Sequence, residues 1–513
     1  MSLAQSVPAE GRSGFSATFS RDFTASIVVF LVAMPLCMGI AVASGVPAER
    51  GLITGIIGGI VVGALAGSPL QVSGPAAGLA VIVYEIVQQH GLSTLGPILM
   101  LAGLIQLTAG ALRLGQWFRA ISPAVVHGML AGIGLLIVVA QFHVLFGEAP
   151  RASGIENLLA IPGAIMSLSL AALGPTESAL MVGVATIGSY LLWEKIRPAK
   201  LKLVPGALLG VLAGAFVAIG LDLDVQKIAV PESILGAIAL PTMTDVGKLA
   251  QPTLIVTALA VAFIASAETL LSAAAVDKMH DGPRTKYNKE LFGQGVGNML
   301  CGFLGALPMT GVIVRSSANV QAGAATRAST IMHGCWILGF VALLPWLLRM
   351  VPSAALAGVL VVTGWRLVSL KHVQHLFAKY GLLPAMIWAA TFVMVVATDL
   401  LTGVLVGLAL TVLEIIPQLR RMRLRVEQRK VDDEAVEVSL DGAATFLQLP
   451  KITKALEATP DKGVIRLETR KLSFLDHTCT EVLKDWIRSK ERTGAKVAMA
   501  DDCGYASKLA AHA

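Results

Sequence analysis

Charge is sparse in this sequence. Only 14% of its 513 residues are Asp, Glu, Lys or Arg, where a soluble chain carries about a quarter. Hydrophobic residues make up 55% and mean hydropathy is +0.74, which excludes an ordinary soluble fold for most of the length. Cysteine is scarce too. Cys37, Cys301, Cys335, Cys479 and Cys503 form no CxxC pair, and three lie in apolar runs, so neither a disulfide framework nor a zinc site is expected. There is no GxxxxGK phosphate loop, nucleophile–base pair or metal-spaced cluster, which argues against an ATP-driven pump or an enzyme, and no cofactor is expected. The first residues stay polar to about Ser20 without a basic–apolar–small pattern, so no cleaved signal peptide is expected.

The charges that do occur are unevenly placed. From Phe23 to Pro417 they sit mostly in short clusters between apolar runs; after Arg420 they become dense. That contrast predicts a polar N-terminal segment (1–20), a membrane domain (21–417), a basic linker (418–430) and a small soluble domain (431–513). Much of the +7 net charge lies in Arg420, Arg421, Arg423, Arg425, Arg429 and Lys430, directly after the last apolar run. Such a cluster marks the cytoplasmic side and can touch anionic lipid headgroups. No aromatic–basic interleaving accompanies it, so nucleic acid is not an expected partner.

A spanning helix needs about 20 mostly apolar residues. Runs at 23–44, 51–67, 95–113, 122–146, 176–193, 201–220, 252–276, 289–306, 328–349, 381–398 and 400–417 qualify. Broken or short runs at 75–88, 313–325 and 353–368 bring the total to fourteen, seven per half, with surface helices expected near 155–172 and 369–379. An even number puts both termini on one side, which the basic cluster makes cytoplasmic. Residues 431–513 read as α/β, with strands at 436–440, 463–468 and 495–500 and helices at 448–458 and 478–493.

The chain nearly repeats itself once. Leu70-Gln71-Val72-Ser73-Gly74-Pro75 corresponds to Leu307-Pro308-Met309-Thr310-Gly311-Val312, and the flanks around Arg50-Gly51-Leu52 and Lys289-Glu290-Leu291 match as well. Interrupted hydrophobic segments at matching positions of two halves point to a transporter's binding site. Each break is followed by a helix too short or too polar to face lipid: Pro75 to about Gln88, and the stretch holding Arg315, Ser316, Ser317, Asn319 and Gln321. Helix N-termini carry free N–H groups and partial positive charge, so two that meet would form an anion site. Ser73 and Thr310 are expected at the N-caps, with Gly74 and Gly311 admitting a close approach to the backbone.

Arg315, one turn inside the second short helix, adds a full charge; its structural alternatives are snorkelling to an interface or pairing with Glu268. Glu268 is the only acidic residue in the apolar stretch Thr253–Ala275. A buried carboxylate there can carry a coupling H⁺ or Na⁺, neutralise Arg315, or simply face solvent. Glu290 and Asn298 are expected to brace the repeat, Asp399 with Gly403 and Gly407 to shape a turn and close packing. His127, His143 and His333 read as satisfied buried histidines rather than metal ligands.

The motifs Ser73-Gly74-Pro75-Ala76-Ala77-Gly78, Glu290-Leu291 with Gly295 and Asn298, Thr310-Gly311 with Arg315-Ser316, and Asp399-Leu400-Leu401-Thr402-Gly403-Val404 occur in the order and spacing of one family. Over nearly its whole length the chain resembles the sulfate permease (SulP) anion transporters. That resemblance implies an α-helical polytopic membrane protein of fourteen segments in two inverted seven-helix repeats, split into core and gate domains. It further implies a small cytoplasmic α/β STAS domain, a homodimer, and a substrate among sulfate, bicarbonate, chloride and small dicarboxylates. Carried over, the substrate-binding residues are Ser73, Gly74, Ala76, Ala77, Thr310, Gly311, Val312 and Arg315, and the coupling residue is Glu268.

The chain departs from the family pattern in two places. Where many members have Pro-Gln in the first segment, this one has Pro35-Leu36, which removes a hydrogen-bond donor from the site. Where anti-sigma-factor antagonists carry Asp-Ser, it has Asp476-His477-Thr478, so phosphoswitching is not supported, and the domain's final helix is expected to be short. The wording Phe30 to Leu36 resembles a bacterial subgroup sometimes joined to carbonic anhydrase, which favours bicarbonate slightly. The expected function is secondary transport of a small inorganic anion across a bacterial inner membrane, coupled to H⁺ or Na⁺. A dicarboxylate symporter, an exchanger, an uncoupled channel and a nucleobase permease are the alternatives.

Overall fold

Two short strands from opposite halves of the chain pair at its centre. The computed structural model describes residues 15–115, 122–151, 153–168, 174–198, 201, 203–228, 234–280, 282–368, 382–415, 424–432, 435–460 and 463–499. Arg420, Arg421, Arg423, Cys503, the expected surface helix 369–379 and the end of the C-terminal domain lie outside them.

The first half comprises α1 (Phe15–Ala43), α2 (Ala48–Ile57, continued by a π-turn at Gly58–Val62 and by Gly63–Leu65), β1 (Ser73–Pro75) and α3 (Ala80–His90), which a 3₁₀ turn at Ala77–Leu79 introduces. Then come α4 (Leu92–Ala111), α5 (Pro123–Leu145), a surface helix α6 (Gly154–Met166), α7 (Pro175–Ile196) and α8 (Gly206–Gly220). The second half comprises α9 (Pro252–Asp277), α10 (Tyr287–Phe303), β2 (Met309–Gly311), α11 (Ile313–Gln321), α12 (Ala328–Leu343), α13 (Ser353–Leu367), α14 (Leu382–Ala397) and α15 (Leu400–Ile415). All fourteen expected segments are present, seven up to Gly220 and seven from Pro252 onward. Six of them are long and apolar enough to cross a membrane by length and composition alone. The run expected at 328–349 stops at Leu343, because Pro345 lacks the N–H that would continue the helix. The outward faces are apolar: Phe216, Leu192, Met386 and Leu413 are all exposed, an arrangement suited to lipid.

Helices approach closely where side chains are missing. At Gly103 of α4 a methyl group would lie 2.5 Å from Met299 N, and at Gly295 of α10 one would lie 2.4 Å from Leu107 N. Small residues at such a seam let backbones touch, which is how membrane helices pack without a hydrophobic drive. The strands β1 and β2 are fully buried and antiparallel, with Ser73 opposite Gly311, Gly74 opposite Thr310 and Pro75 opposite Met309. The bonds Val312 N to Val72 O (2.9 Å) and Ala76 N to Pro308 O (3.2 Å) extend the pairing. Extended backbone at membrane depth is tolerated only inside protein, and here each break satisfies the other.

The C-terminal domain is a sheet ordered β3 (Leu424–Asp432), β4 (Ala435–Ala444), β5 (Gly463–Glu468) and β7 (Ala495–Met499), with β6 (Leu472–Leu475) beside the end of β4. Only β3–β4 is antiparallel. Helices α16 (Leu449–Glu457) and α17 (His477–Thr493) pack on it through Leu449, Ile452, Leu456, Cys479, Leu483 and Ile487. Residues 424–430 were expected in a linker, but they form β3. Their alternation, with Leu424 buried, Arg425 exposed and Val426 half-buried, is obscured in sequence by the density of charge. Asp476 starts α17: its carboxylate accepts hydrogen bonds from Cys479 N (2.7 Å) and from Phe446 N.

Candidate functional site

The crossing of the two broken helices opens on a cavity of about 1220 Å³. Leu36 and Ile40 of α1, Ala77, Glu268 of α9, and Val312 and Arg315 line it at the crossing. Opposite stand Met129 and Leu130 of α5 and Leu360 and Thr363 of α13. The cavity continues past Lys278 and Arg284 to Thr478, Asp485 and Trp486 of the C-terminal domain, so its mouth is on that domain's side.

Of the eight expected substrate residues, Ala77, Val312 and Arg315 reach the cavity wall; Ser73, Gly74, Ala76, Thr310 and Gly311 lie behind it. Ser73 and Thr310 are not N-caps. Ala76 precedes the 3₁₀ turn and Val312 precedes α11, and neither start has a side-chain cap. Strand pairing holds the hydroxyl–Gly pairs extended, so each helix begins later than the sequence pattern suggested. Neither first turn is capped by its own preceding residue; at the α3 segment the Glu268 carboxylate stands there instead, at Gly78.

Ser73 Oγ accepts instead from Gln294 Nε2 (2.6 Å), which also donates to Glu290 Oε1 (3.1 Å); Glu290 Oε2 accepts from Ser68 N (2.7 Å). Asn298 accepts from Met309 N (2.8 Å) and donates to Met309 O (3.1 Å) and Gln106 Oε1 (2.7 Å), which pins β2 to α10 and α4. Glu290 and Asn298 therefore brace the repeat as expected. The sequence reading missed three further braces. Gln71 fills the space beside Gly311 and donates to Thr269 O (3.1 Å). Thr269 Oγ1 accepts from Gly311 N (3.1 Å), and Ser316 Oγ accepts from Val72 N (2.9 Å). Gln71 and Ser316 stood inside the quoted motifs, but nothing in their spacing distinguishes a brace from a ligand.

Two charged groups meet the crossing from different sides. The Arg315 guanidinium lies against Gly74, where a methyl group would come within 1.9 Å of Nη1. Arg315 is 0% exposed, and none of its three side-chain nitrogens has a hydrogen-bond partner among the described residues. It therefore does not snorkel. Nor does it pair with Glu268: no Arg315–Glu268 salt bridge exists among the described residues, and the carboxylate sits instead on Gly78 and beside Thr310. A methyl group at Gly78 would lie 2.7 Å from Glu268 Oε2, which puts the carboxylate at the N-terminal end of the α3 segment. Glu268 Oε2 and Thr310 Oγ1 are buried without partners. An unpaired buried cation is strongly unfavourable until an anion or water reaches it. The crossing thus offers one cation without a carboxylate partner and one carboxylate held at Gly78 beside Thr310.

The histidines divide. His143 is satisfied, with Nε2 at 2.9 Å from Asn157 O, and His127 lines the cavity. His333 of α12 is fully buried, with the Thr330 carbonyl beside its ring. Asp399 caps α15 through Thr402 N (2.9 Å), and Gly403 and Gly407 abut Val395 and Thr391, the turn and packing roles expected of them.

Comparison with known proteins agrees with this architecture. The chain is 29% identical over 498 residues to YvdB of Bacillus subtilis (strain 168), covering 93% of this chain and 91% of that one. It is 26% identical over 402 residues to the bicarbonate transporter BicA of Synechocystis sp., covering 75% of this chain and 68% of that protein. In fold it resembles the transmembrane domain of a cyanobacterial BicA (TM-score 0.65, 24% identity, 75% of this chain and 97% of that one). It also resembles SLC26A9 (TM-score 0.68, 15% identity, 98% and 87%). The profile of the Sulfate permease family matches residues 19–391, and with the paired breaks, the repeat and the fourteen segments it shows that this chain belongs to that family.

Proposed function

We propose that the protein is a secondary carrier of a small inorganic anion of the sulfate or bicarbonate class. In this reading the anion sits between the starts of the α3 and α11 segments, at Ala77, Val312 and Arg315. Ser73, Gly74, Ala76, Thr310 and Gly311 contribute the backbone that shapes the site. The observation that carries the reading is Arg315, a fully buried guanidinium at the cavity wall with three unpaired nitrogens. Leu36 at the same wall favours bicarbonate over sulfate, because a dry side chain offers a tetrahedral dianion no hydrogen bond.

Glu268 is the coupling group. Its carboxylate occupies the N-terminal end of the α3 segment that would otherwise face the substrate, so a bound H⁺ or Na⁺ would remove the repulsion between the two anions. The assembly is a homodimer in a bacterial inner membrane, with both termini, the basic cluster and the STAS-like C-terminal domain in the cytoplasm. The cavity mouth on that domain's side is then the inward opening.

The test is uptake of labelled bicarbonate and sulfate by proteoliposomes under inward Na⁺ or H⁺ gradients. Concentrative uptake of one anion under one gradient is expected, with Glu268→Gln abolishing the concentrative part. If neither gradient drives accumulation, coupled transport is wrong; gradient-independent equilibration that survives Glu268→Gln would make the protein a channel or exchanger.

A further inference from the structure

We infer that Tyr84 is a latch on the outer side of the carrier. The hydrogen bond from its hydroxyl to the Pro150 carbonyl holds the site closed on the face away from the C-terminal domain, and outward opening requires that bond to break. The inference rests on the carrier reading and on no particular anion.

The helices pack as two bundles. In one, α4 lies against α10, and α1 against α2 and α12; in the other, α5 lies against α13 and α14, and α7 against α8. Ala77, Val312 and Arg315 belong to the first bundle, and Met129, Leu130 and Leu360 face them from the second. Access to the site therefore depends on how the bundles meet. Along α1 and α13 they meet through apolar groups, with the Leu360 side chain filling the space at Gly39. Apolar contact is non-directional and tolerates sliding, whereas a hydrogen bond weakens steeply off its geometry.

Tyr84 Oη donates to Pro150 O at 2.7 Å, and this bond joins the two bundles. Tyr84 lies on α3, about two turns beyond the 3₁₀ start that carries Ala77, or roughly 9 Å along the helix. Pro150 lies in the loop from α5 to α6. The Pro123 end of α5 lines the cavity, and the loop leaves the other end of this 23-residue helix, about 34 Å away. The bond is thus on the face opposite the mouth.

Both partners are held in place. The Tyr84 ring packs on the turn between α1 and α2, where a methyl group at Gly45 would lie 2.9 Å from Cδ2. Gly45 has φ +68°, so the turn needs glycine for its backbone as well as for the ring. On the other side, the buried Asn157 of α6 fixes the loop. Its Oδ1 accepts from Arg151 N (2.8 Å), and its Nδ2 donates to Arg151 O (3.0 Å) and Ser153 O (2.9 Å). His143 Nε2, 2.9 Å from Asn157 O, ties α6 to α5. Pro150 has a fixed φ and no N–H, so its carbonyl is the polar group it presents. A hydroxyl meeting a loose loop would gain little after the cost of ordering it; here other bonds have already ordered the loop.

The experiment reads outward exposure of the cavity wall in intact cells that express the full-length protein. Leu36→Cys places a reporter thiol at that wall, and a membrane-impermeant maleimide added outside reaches it only in the outward-open state. A permeant maleimide confirms that the thiol is reactive, and the protein without the reporter gives the background. In the reporter protein, Tyr84→Phe, which keeps the ring, is expected to raise the labelling rate about fivefold, the loss of one hydrogen bond between neutral groups. Asn157→Ala, which frees the loop without touching Tyr84, is expected to raise it in the same direction. The two together are expected to go no further than Tyr84→Phe alone. A rate that Tyr84→Phe leaves unchanged, or effects of the two that multiply, would overturn the inference and leave the carrier reading standing. If the reporter reacts from outside in no variant, the wall never faces outward, and the carrier reading falls together with the inference.

Discussion

At the scale of single residues, the crossing is built from glycines whose missing side chains are occupied by charged tips. The glycines of this crossing differ in what a methyl group would displace, and that difference sorts their substitutions. At Gly78 it meets only the end of the Glu268 side chain, at 2.7 Å from Oε2. At Gly58 it meets backbone, 2.5 Å from Ser73 O. Gly78→Ala is therefore expected to fold and to move the carboxylate off the helix end. The driving cation concentration for half-maximal uptake should shift by about tenfold, one lost charge-assisted contact. Gly58→Ala cannot be relieved by a rotamer change and should cost about 1–3 kcal/mol or more, seen as lost protein in detergent extracts. Equal recovery of the two variants would contradict this assignment of contacts.

At the scale of elements, hydropathy and the internal repeat made most of the fold legible in the sequence. Membrane segments declare themselves because lipid demands about 20 apolar residues, and the ends of α5, α9 and α14 lie within a residue of expectation. What pairing decides was hidden. Ser73 and Thr310 look like N-caps because a hydroxyl–Gly pair before an apolar run is the cap pattern, yet the hydrogen bonds of β1 with β2 come from residues far apart in the chain. Arg315 and Glu268 were legible as buried charges, but that each would face away from the other was not, since only the packing at Gly74 and Gly78 decides it. β3 was missed because its charged outer face resembles a linker. In the same domain, Asp476 is both cap and buried acid. Burial pushes its carboxyl above the ordinary range, against the hydrogen bonds from Cys479 and Phe446. An acid that holds its proton more tightly folded than unfolded favours the folded domain at low pH, and that contribution is lost as pH rises through the carboxylate range. Asp476→Asn should flatten this dependence. Asp476→Ala should cost about 1 kcal/mol through the lost cap, both read as hydrogen exchange of the α17 amides in the intact protein.

At the scale of the whole molecule, one cavity joins the crossing to the C-terminal domain, and the question is what that domain contributes. The groups proposed to hold the anion and the coupling ion, at Ala77, Val312, Arg315 and Glu268, all belong to the membrane part. Asp485 of α17 pairs with Lys278 at the end of α9 at 2.5 Å, but Lys278 is more than half exposed, and pairs of this kind contribute about 0–1 kcal/mol. Removing that pair alone, with Asp485→Asn, should change little. Removing the domain should change recovery and turnover, since Thr478, Asp485 and Trp486 shape the mouth, while the preference among anions stays as it is. Where the cut is made matters. Ending the chain after residue 430 strands β3 without β4, exposing Leu424 and Val426 on an unpaired edge, which invites aggregation. Ending it after residue 423 removes the whole sheet. The shorter protein is therefore expected to be recovered in better yield than the longer one, measured as the monodisperse fraction by size-exclusion chromatography. Both should retain the wild-type ratio of bicarbonate to sulfate uptake; a changed ratio would place part of the anion selectivity in the C-terminal domain, against the geometry of the crossing.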